Sequence, residues 1–174
     1  PRKTHFEFFE RASYPYIDLT VQMDITPFLT YVKEHGYKFF PSLLYCLLKG
    51  VNETGEFKYR ILEDGVVKYD RIAASITVPI EGELFAFCRT EYKENIHDFL
   101  KEVAVKQAEA RKQTRLVGND WFDVIWVSCA PWGSFTSLSA PTVDRRMRSI
   151  PAFFIGKYYE SNGKTLLPVA LKVN

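Results

Sequence analysis

Residues 16–25 alternate between polar and apolar side chains without a break. The apolar positions are Ile17, Leu19, Val21, Met23 and Ile25. A β-strand places successive side chains on opposite faces, so the alternation predicts a strand with one side buried. Such a strand requires a sheet to pair with and a second layer to cover its apolar side.

The rest of the chain supplies both layers. Two early helices are predicted, one from Thr26-Pro27 to a stop at Gly36 and one from Phe40-Pro41. The other signals are a hairpin over 59–69, a strand pair over 73–80 and 83–89, a long helix over 95–114, a buried strand over 124–130, and strands over 150–159 and 165–173 joined by Asn162-Gly163. This mixture predicts an α+β fold with a mixed, largely antiparallel sheet and helices packed on it.

Composition excludes several classes of protein. The 174 residues include 14 Phe, 10 Tyr and 3 Trp, too much apolar material for a disordered chain. The net charge of +2 gives no case for nucleic acid, and no apolar run reaches the length of a membrane span. The cysteines at 46, 88 and 129 lie in apolar stretches and are interpreted as reduced thiols of a cytoplasmic protein.

Familiar catalytic and metal motifs are absent from the sequence. There is no glycine-rich phosphate loop, no paired Cys-x-x-Cys and no His-Glu-x-x-His. His5, His35 and His97 are far apart in the chain, and none has the context of a general base. The sequence therefore predicts no metal site and presents no base of its own.

One serine is unusual. Ser128 lies inside the apolar run 124–130, where an unpaired hydroxyl would cost about 1–3 kcal/mol. Its partner is either a neighbouring carbonyl or an oxyanion formed during a reaction. Trp126 and Trp132 on either side would then either line an aromatic pocket or belong to the core.

Four segments together resemble the trimeric chloramphenicol acetyltransferase family. They are residues 2–9, with the pattern Arg-x-x-His-Phe-x-x-Phe, then 24–26 with 37–41, then Cys129-Ala130-Pro131-Trp132-Gly133-Ser134-Phe135-Thr136-Ser137, and finally 151–159 with 167–173. The resemblance covers the whole chain in order. It implies an acyltransferase with the sandwich fold of CoA-dependent acyltransferases, which transfers an acetyl group from acetyl-CoA to a hydroxyl of chloramphenicol or a related small alcohol.

The resemblance also implies roles for individual residues. A histidine acts as the general base, Ser128 stabilises the oxyanion, and Arg2 pairs with an aspartate four residues after the histidine. Coenzyme binding is implied for Lys38, Lys157 and Tyr158. Acceptor binding is implied for Phe8, Phe9, Trp126, Trp132 and Phe154. Each site would lie between two subunits of a homotrimer.

The chain differs from the family pattern at two aromatic residues, and the family's catalytic motif is present only in its first position. Asn174 matches the first position of the family's His-containing motif, so the catalytic histidine is expected directly after it. We therefore expect residues 1–174 to be one acetyltransferase domain that is incomplete at both ends. Phe9 and Phe154 stand where well-known members have Tyr and Thr, which removes two hydroxyls from the expected acceptor pocket.

Two alternatives stay open at this point. The chain could be a catalytically inactive homologue or a fragment that binds CoA or only forms trimers. It could also be an aromatic-rich module that binds a small apolar ligand without acetyl-CoA. Turnover, and its dependence on Ser128, would separate these hypotheses.

Overall fold

The computed structural model describes residues 2–142 and 144–174. The helices are α1 (Lys3–Phe9), α2 (Thr26–Glu34), α3 (Phe39–Glu53) and α4 (Ile96–Ala110), with short 3₁₀ turns at Gly55–Lys58 and Arg145–Met147. The strands are β1 (Ile17–Asp24), β2 (Tyr59–Leu62), β3 (Gly65–Lys68), β4 (Ala73–Ile80), β5 (Leu84–Thr90), β6 (Val124–Cys129), β7 (Ala152–Ile155), β8 (Tyr159–Ser161) and β9 (Lys164–Val173).

Seven strands form one mixed sheet. The order is β1-β9-β7-β6-β4-β5, and β8 pairs with β9. β6 runs parallel to both β4 and β7, whereas the other pairings are antiparallel. The α+β fold and the largely antiparallel sheet are therefore confirmed. Because β4, β6 and β7 run parallel, their carboxyl ends meet at one edge of the sheet.

The core lies between this sheet and the helices α3 and α4. Leu44 and Leu48 of α3 and Phe99 of α4 are fully buried against Ile76 and Ile125 of the sheet. Leu44 and Leu48 are four residues apart and therefore share one face of α3. No helix among residues 2–142 and 144–174 is long and apolar enough to cross a membrane.

A buried arginine ties the small β2–β3 hairpin to the sheet. The Arg60 side chain is completely buried and donates hydrogen bonds to the carbonyls of Phe57, Tyr59, Phe122 and Val124 at 2.6–2.7 Å. Burial lowers the pKa of its guanidinium to about 10. The four carbonyls satisfy four of the five N–H donors of Arg60, so the hairpin is held by the charged group itself.

Three sequence expectations differ from the structure. β1 has the expected bounds within a residue, but its apolar side is exposed, with Ile17 at 71% and Leu19 at 56%, because no described element covers it. The helix predicted over 95–114 begins after the Asn95 cap and ends at Ala110. The strand predicted over 150–159 is divided into β7 and β8 by a bend at 156–158.

Candidate functional site

A cavity of about 1140 Å³ opens at the edge of the sheet where β4, β6 and β7 end. Ser128 lies one residue before the end of β6, Thr77 follows the part of β4 that pairs with β6, and the 156–158 bend follows β7. The start of α3 and one side of α4 close the other walls. The parallel strands thus bring together residues that are distant in the sequence.

Ser128 lies within β6, one residue before its end, and lines the cavity. Its side chain is half-buried and makes no hydrogen bond to any residue in the described ranges 2–142 and 144–174. Two partners were considered for this hydroxyl. Within the described part of the chain, the structure does not show a hydrogen bond to the first of them, a neighbouring carbonyl. The Oγ of Ser128 is free to donate to a group in the cavity.

The bend after β7 is fixed against the loop that follows β6. The Lys157 N–H donates to the Gly133 carbonyl at 2.7 Å, and the Ser134 hydroxyl donates to the Lys157 carbonyl at 2.6 Å. Gly156 has no space for a side chain, since a Cβ there would lie 2.9 Å from Phe135 and 2.9 Å from Pro168. Close packing at glycine thus holds Lys157 and the following Tyr158 on the cavity wall.

Lys38 precedes the first turn of α3 and also lines the cavity. The N-terminus of a helix carries a partial positive charge and unpaired N–H groups, so it favours an anion, and the Lys38 ammonium has the same preference. The neighbouring Phe39 ring lies 5.4 Å from the ring of Tyr158. The wall at this point is therefore both cationic and aromatic.

Besides Ser128, four of the other nine residues singled out from the sequence line the cavity. These are Lys38, Trp132, Lys157 and Tyr158, and Trp132 is 80% exposed. Of the two tryptophans that flank Ser128, one therefore lines a pocket. Trp126 instead packs against the small buried cluster of Ala73, Val124, Met147 and Ile150, so it belongs to the core in this chain.

The remaining site residues do not line the cavity of one chain. Arg2, Phe8 and Phe9 belong to the α1 region, where Phe8 is 73% and Phe9 61% exposed. Phe154 is half-buried on β7, directly opposite Ser128 in the parallel pairing. The roles of Phe8, Phe9 and Phe154 in binding the acceptor, and of Arg2 in pairing with an aspartate, stay predictions.

Sequence reasoning missed the contribution of α4. Leu100, Ala104, Gln107 and Arg111 line the cavity at spacings of four, three and four residues, and Lys101 lies beside the first of them. This helical period is visible in the sequence, but from the sequence we assigned the apolar side of the helix only to the core and not to a cavity. The thiol of Cys129 also lines the cavity, and burial raises its pKa, so it stays protonated near neutral pH.

Comparison with known proteins identifies the family. A family model described as chloramphenicol acetyltransferase matches residues 1–174. The chain belongs to the chloramphenicol acetyltransferase family. It is thus an acyltransferase by family, as the sequence resemblance implied.

Two curated members and one solved structure show how closely the chain follows this family. The chloramphenicol acetyltransferase of Proteus mirabilis is 32% identical over 99% of this chain and 81% of its own length. That of Escherichia coli is 31% identical over 99% of this chain and 80% of its own length. A solved chloramphenicol acetyltransferase superposes with a TM-score of 0.83 at 26% identity, covering 99% of this chain and 85% of that one.

A more distant likeness concerns the fold alone. The dihydrolipoamide acetyltransferase of Azotobacter vinelandii superposes with a TM-score of 0.71 at 13% identity, covering 98% of this chain and 77% of that one. The sandwich fold expected from the resemblance is therefore confirmed. No group of three or more His, Cys, Asp or Glu side chains that could hold a metal ion occurs within residues 2–142 and 144–174.

Proposed function

We propose that this protein is an acetyl-CoA-dependent O-acetyltransferase that acetylates a hydroxyl of chloramphenicol or a related small alcohol. The observation that carries the proposal is the cavity, whose lining includes Ser128 together with Lys38, Lys157 and Tyr158. Cationic side chains next to an aromatic ring suit a nucleotide, and an unpaired hydroxyl suits an oxyanion. Family membership supports the same chemistry.

The reaction is a direct acyl transfer. A histidine, expected directly after Asn174 in the full-length protein, removes the proton of the acceptor hydroxyl as general base. The acceptor oxygen attacks the thioester carbonyl, and the negative charge of the tetrahedral intermediate receives a hydrogen bond from the Ser128 hydroxyl. When the intermediate collapses, the carbon–sulfur bond breaks, and the CoA sulfur leaves with the proton held by the histidine.

The coenzyme occupies the cavity described above. The ammonium groups of Lys38 and Lys157 bind phosphate, helped by the N-terminus of α3. The Tyr158 ring provides a face for the adenine base, next to the Phe39 ring. The acetyl group then lies at Ser128, at the carboxyl end of β6. No metal takes part in this account.

The acceptor binds at a surface that one chain does not complete. Helix α1 has no buried residue, and its Phe8 and Phe9 rings contact each other at 5.2 Å between centroids. Aromatic rings left open in one chain gain contacts when a second copy covers them. In line with the family resemblance, we propose a cytoplasmic homotrimer of one-domain subunits, with the acceptor between the α1 aromatics, Trp132 and Phe154, whereas Trp126 supports this pocket from the core.

Arg2 has a supporting role in this account. It precedes α1 and lies outside the cavity of one chain. Its guanidinium pairs with the aspartate expected four residues after the catalytic histidine, and the pair fixes the histidine segment. Arg2 is therefore a positioning residue and does not contact the reacting atoms.

The test uses the full-length protein, acetyl-CoA and a panel of acceptors that begins with chloramphenicol. Free CoA thiol is measured over time, and the product is identified by an acetyl mass increase. We expect thiol release that requires both substrates. Calorimetric binding of CoA without release for any acceptor would favour an inactive homologue. The absence of both CoA binding and thiol release would contradict the proposal.

A further inference from the structure

One side of α4 forms a wall of the proposed coenzyme cavity. The wall residues Leu100, Ala104 and Gln107 recur at helical spacing, and Lys101 and Arg111 lie at its two ends. At about 1.5 Å per residue, ten residues separate these two basic positions by about 15 Å along the helix. The wall therefore offers two separate positive centres rather than one.

The charges of α4 are segregated between its two sides. The acidic residues Asp98, Glu102 and Glu109 do not line the cavity. Glu102 instead binds Lys93 at 2.8 Å and Lys106 at 3.6 Å on the other side of the helix. The side that faces the cavity thus carries only basic charges, although the helix as a whole carries both signs.

The two cavity-facing basic groups have no acidic partner. Within residues 2–142 and 144–174, neither Lys101 nor Arg111 forms a salt bridge. With Lys38 and Lys157 they make four basic residues on the lining, opposed by Glu83 alone. An excess of unpaired positive charge in a concave site favours an anionic ligand.

We propose that Lys101 and Arg111 bind the phosphates of the coenzyme's nucleotide from the α4 wall of the cavity, in addition to Lys38 and Lys157. The inference rests on the proposed function and adds a second phosphate-binding wall to it. CoA carries two separated anionic centres, the diphosphate and the 3′-phosphate, which suits two cations on one helix face. Gln107, between them, provides an amide that donates to ribose or phosphate oxygens. This wall makes the enzyme discriminate between acetyl-CoA and simple thioesters.

The test compares the full-length protein with its Lys101→Ala/Arg111→Ala variant. Steady-state kinetics are measured with acetyl-CoA and with S-acetylpantetheine, which lacks the nucleotide. We expect the KM for acetyl-CoA to rise about tenfold, since each partly exposed ion pair contributes a few-fold. The kcat/KM for S-acetylpantetheine should stay within about twofold of the wild-type value. Lys112→Ala is the matched control, because Lys112 follows α4, is exposed and does not line the cavity.

A binding measurement without turnover completes the experiment. Calorimetry with 3′,5′-ADP, the nucleotide part of CoA, should show about tenfold weaker binding for the double variant and none of this loss for Lys112→Ala. If the wild-type protein turns over and the double variant keeps its KM and its affinity, the α4 proposal alone is wrong. If the wild-type protein binds neither CoA nor 3′,5′-ADP, the proposed function is wrong as well.

Discussion

The cavity edge of the sheet and the α1–β1 region differ in how much of their structure one chain supplies. At the cavity edge, Gly156 packs against Phe135, and the Lys157 N–H donates to the Gly133 carbonyl. In the α1–β1 region, Phe8 is 73% exposed and Ile17 71% exposed. Exposed apolar surface of this kind marks a contact surface, so the first region is self-contained and the second is not.

This difference separates the two halves of the proposed reaction. The coenzyme half depends on residues that the chain holds in place by itself. The acceptor half depends on aromatic residues that need a further surface before they form a pocket. Substitutions in the two regions should therefore affect different kinetic constants, which allows the comparison to be tested.

The largest effect is expected from Ser128→Ala. Loss of one oxyanion donor should lower kcat by about 10–10³-fold with little change in the KM for acetyl-CoA. The variant is compared with Ser161→Ala in β8, which is outside the cavity. An unchanged kcat would remove Ser128 from the mechanism.

The next effect concerns the rigidity of the cavity edge. In Gly156→Ala, the new Cβ would lie 2.9 Å from Phe135 Cε1 and 3.1 Å from the Gly133 carbonyl oxygen. Overpacking of this kind costs about 1–3 kcal/mol, and we expect Tm to fall by about 5 °C. CoA should bind about tenfold more weakly, a loss of about 1.4 kcal/mol.

Gly118→Ala is the matched control for that variant. Gly118 has open space where a Cβ would be, so neither Tm nor CoA affinity should change. If Gly156→Ala and Gly118→Ala had the same Tm and the same CoA affinity, the bend at 156–158 would not position the residues proposed to bind the coenzyme.

A smaller and different effect is expected in the α1–β1 region. Phe8→Ala should raise the KM for the acceptor about tenfold and leave the KM for acetyl-CoA unchanged, since Phe8 is outside the coenzyme cavity. Leu116→Ala, at a position that is 50% exposed, is the control. A shift in the coenzyme KM instead would erase the distinction between the two regions.

The smallest effect concerns Asp24, at the end of β1. Hydrogen bonds from Thr26, with Lys164 beside them, lower the pKa of Asp24 to about 2. A carboxyl with a lowered pKa stabilises the fold above its ordinary pKa near 4, and this contribution is lost as the pH falls towards about 2. Thermal unfolding of Asp24→Asn and wild type should therefore differ slightly at pH 7 and converge near pH 2. If the difference in Tm between Asp24→Asn and wild type stayed constant from pH 7 to pH 2, the lowered pKa of Asp24 would be contradicted.

Much of the fold was predictable because its signals are local. Alternation located β1, and Asn162-Gly163 located the β8–β9 turn, where both residues have positive φ. Ser128 could also be singled out from the sequence, because a hydroxyl in an apolar run is unusual, whereas its oxyanion role stays a prediction. The sequence patterns and the structure agree where a few adjacent residues decide the conformation.

The rest depends on contacts between distant segments. Burial of Arg60 requires carbonyls from residues 57, 59, 122 and 124, and no local pattern brings these together. The alternation in β1 predicted a buried side, but its burial depends on a covering layer that the strand itself does not encode. The α4 wall was missed for a similar reason, since only the tertiary fold turns that helix face towards the cavity.

The most direct test of the account is a crystal structure of the full-length protein with CoA. The account predicts that the CoA sulfur lies within about 4 Å of the Ser128 Oγ, a distance typical of close contact. It also predicts that the nucleotide phosphates lie among the cavity lysines. CoA bound at another surface, or in this cavity with its sulfur far from Ser128, would contradict the central claim.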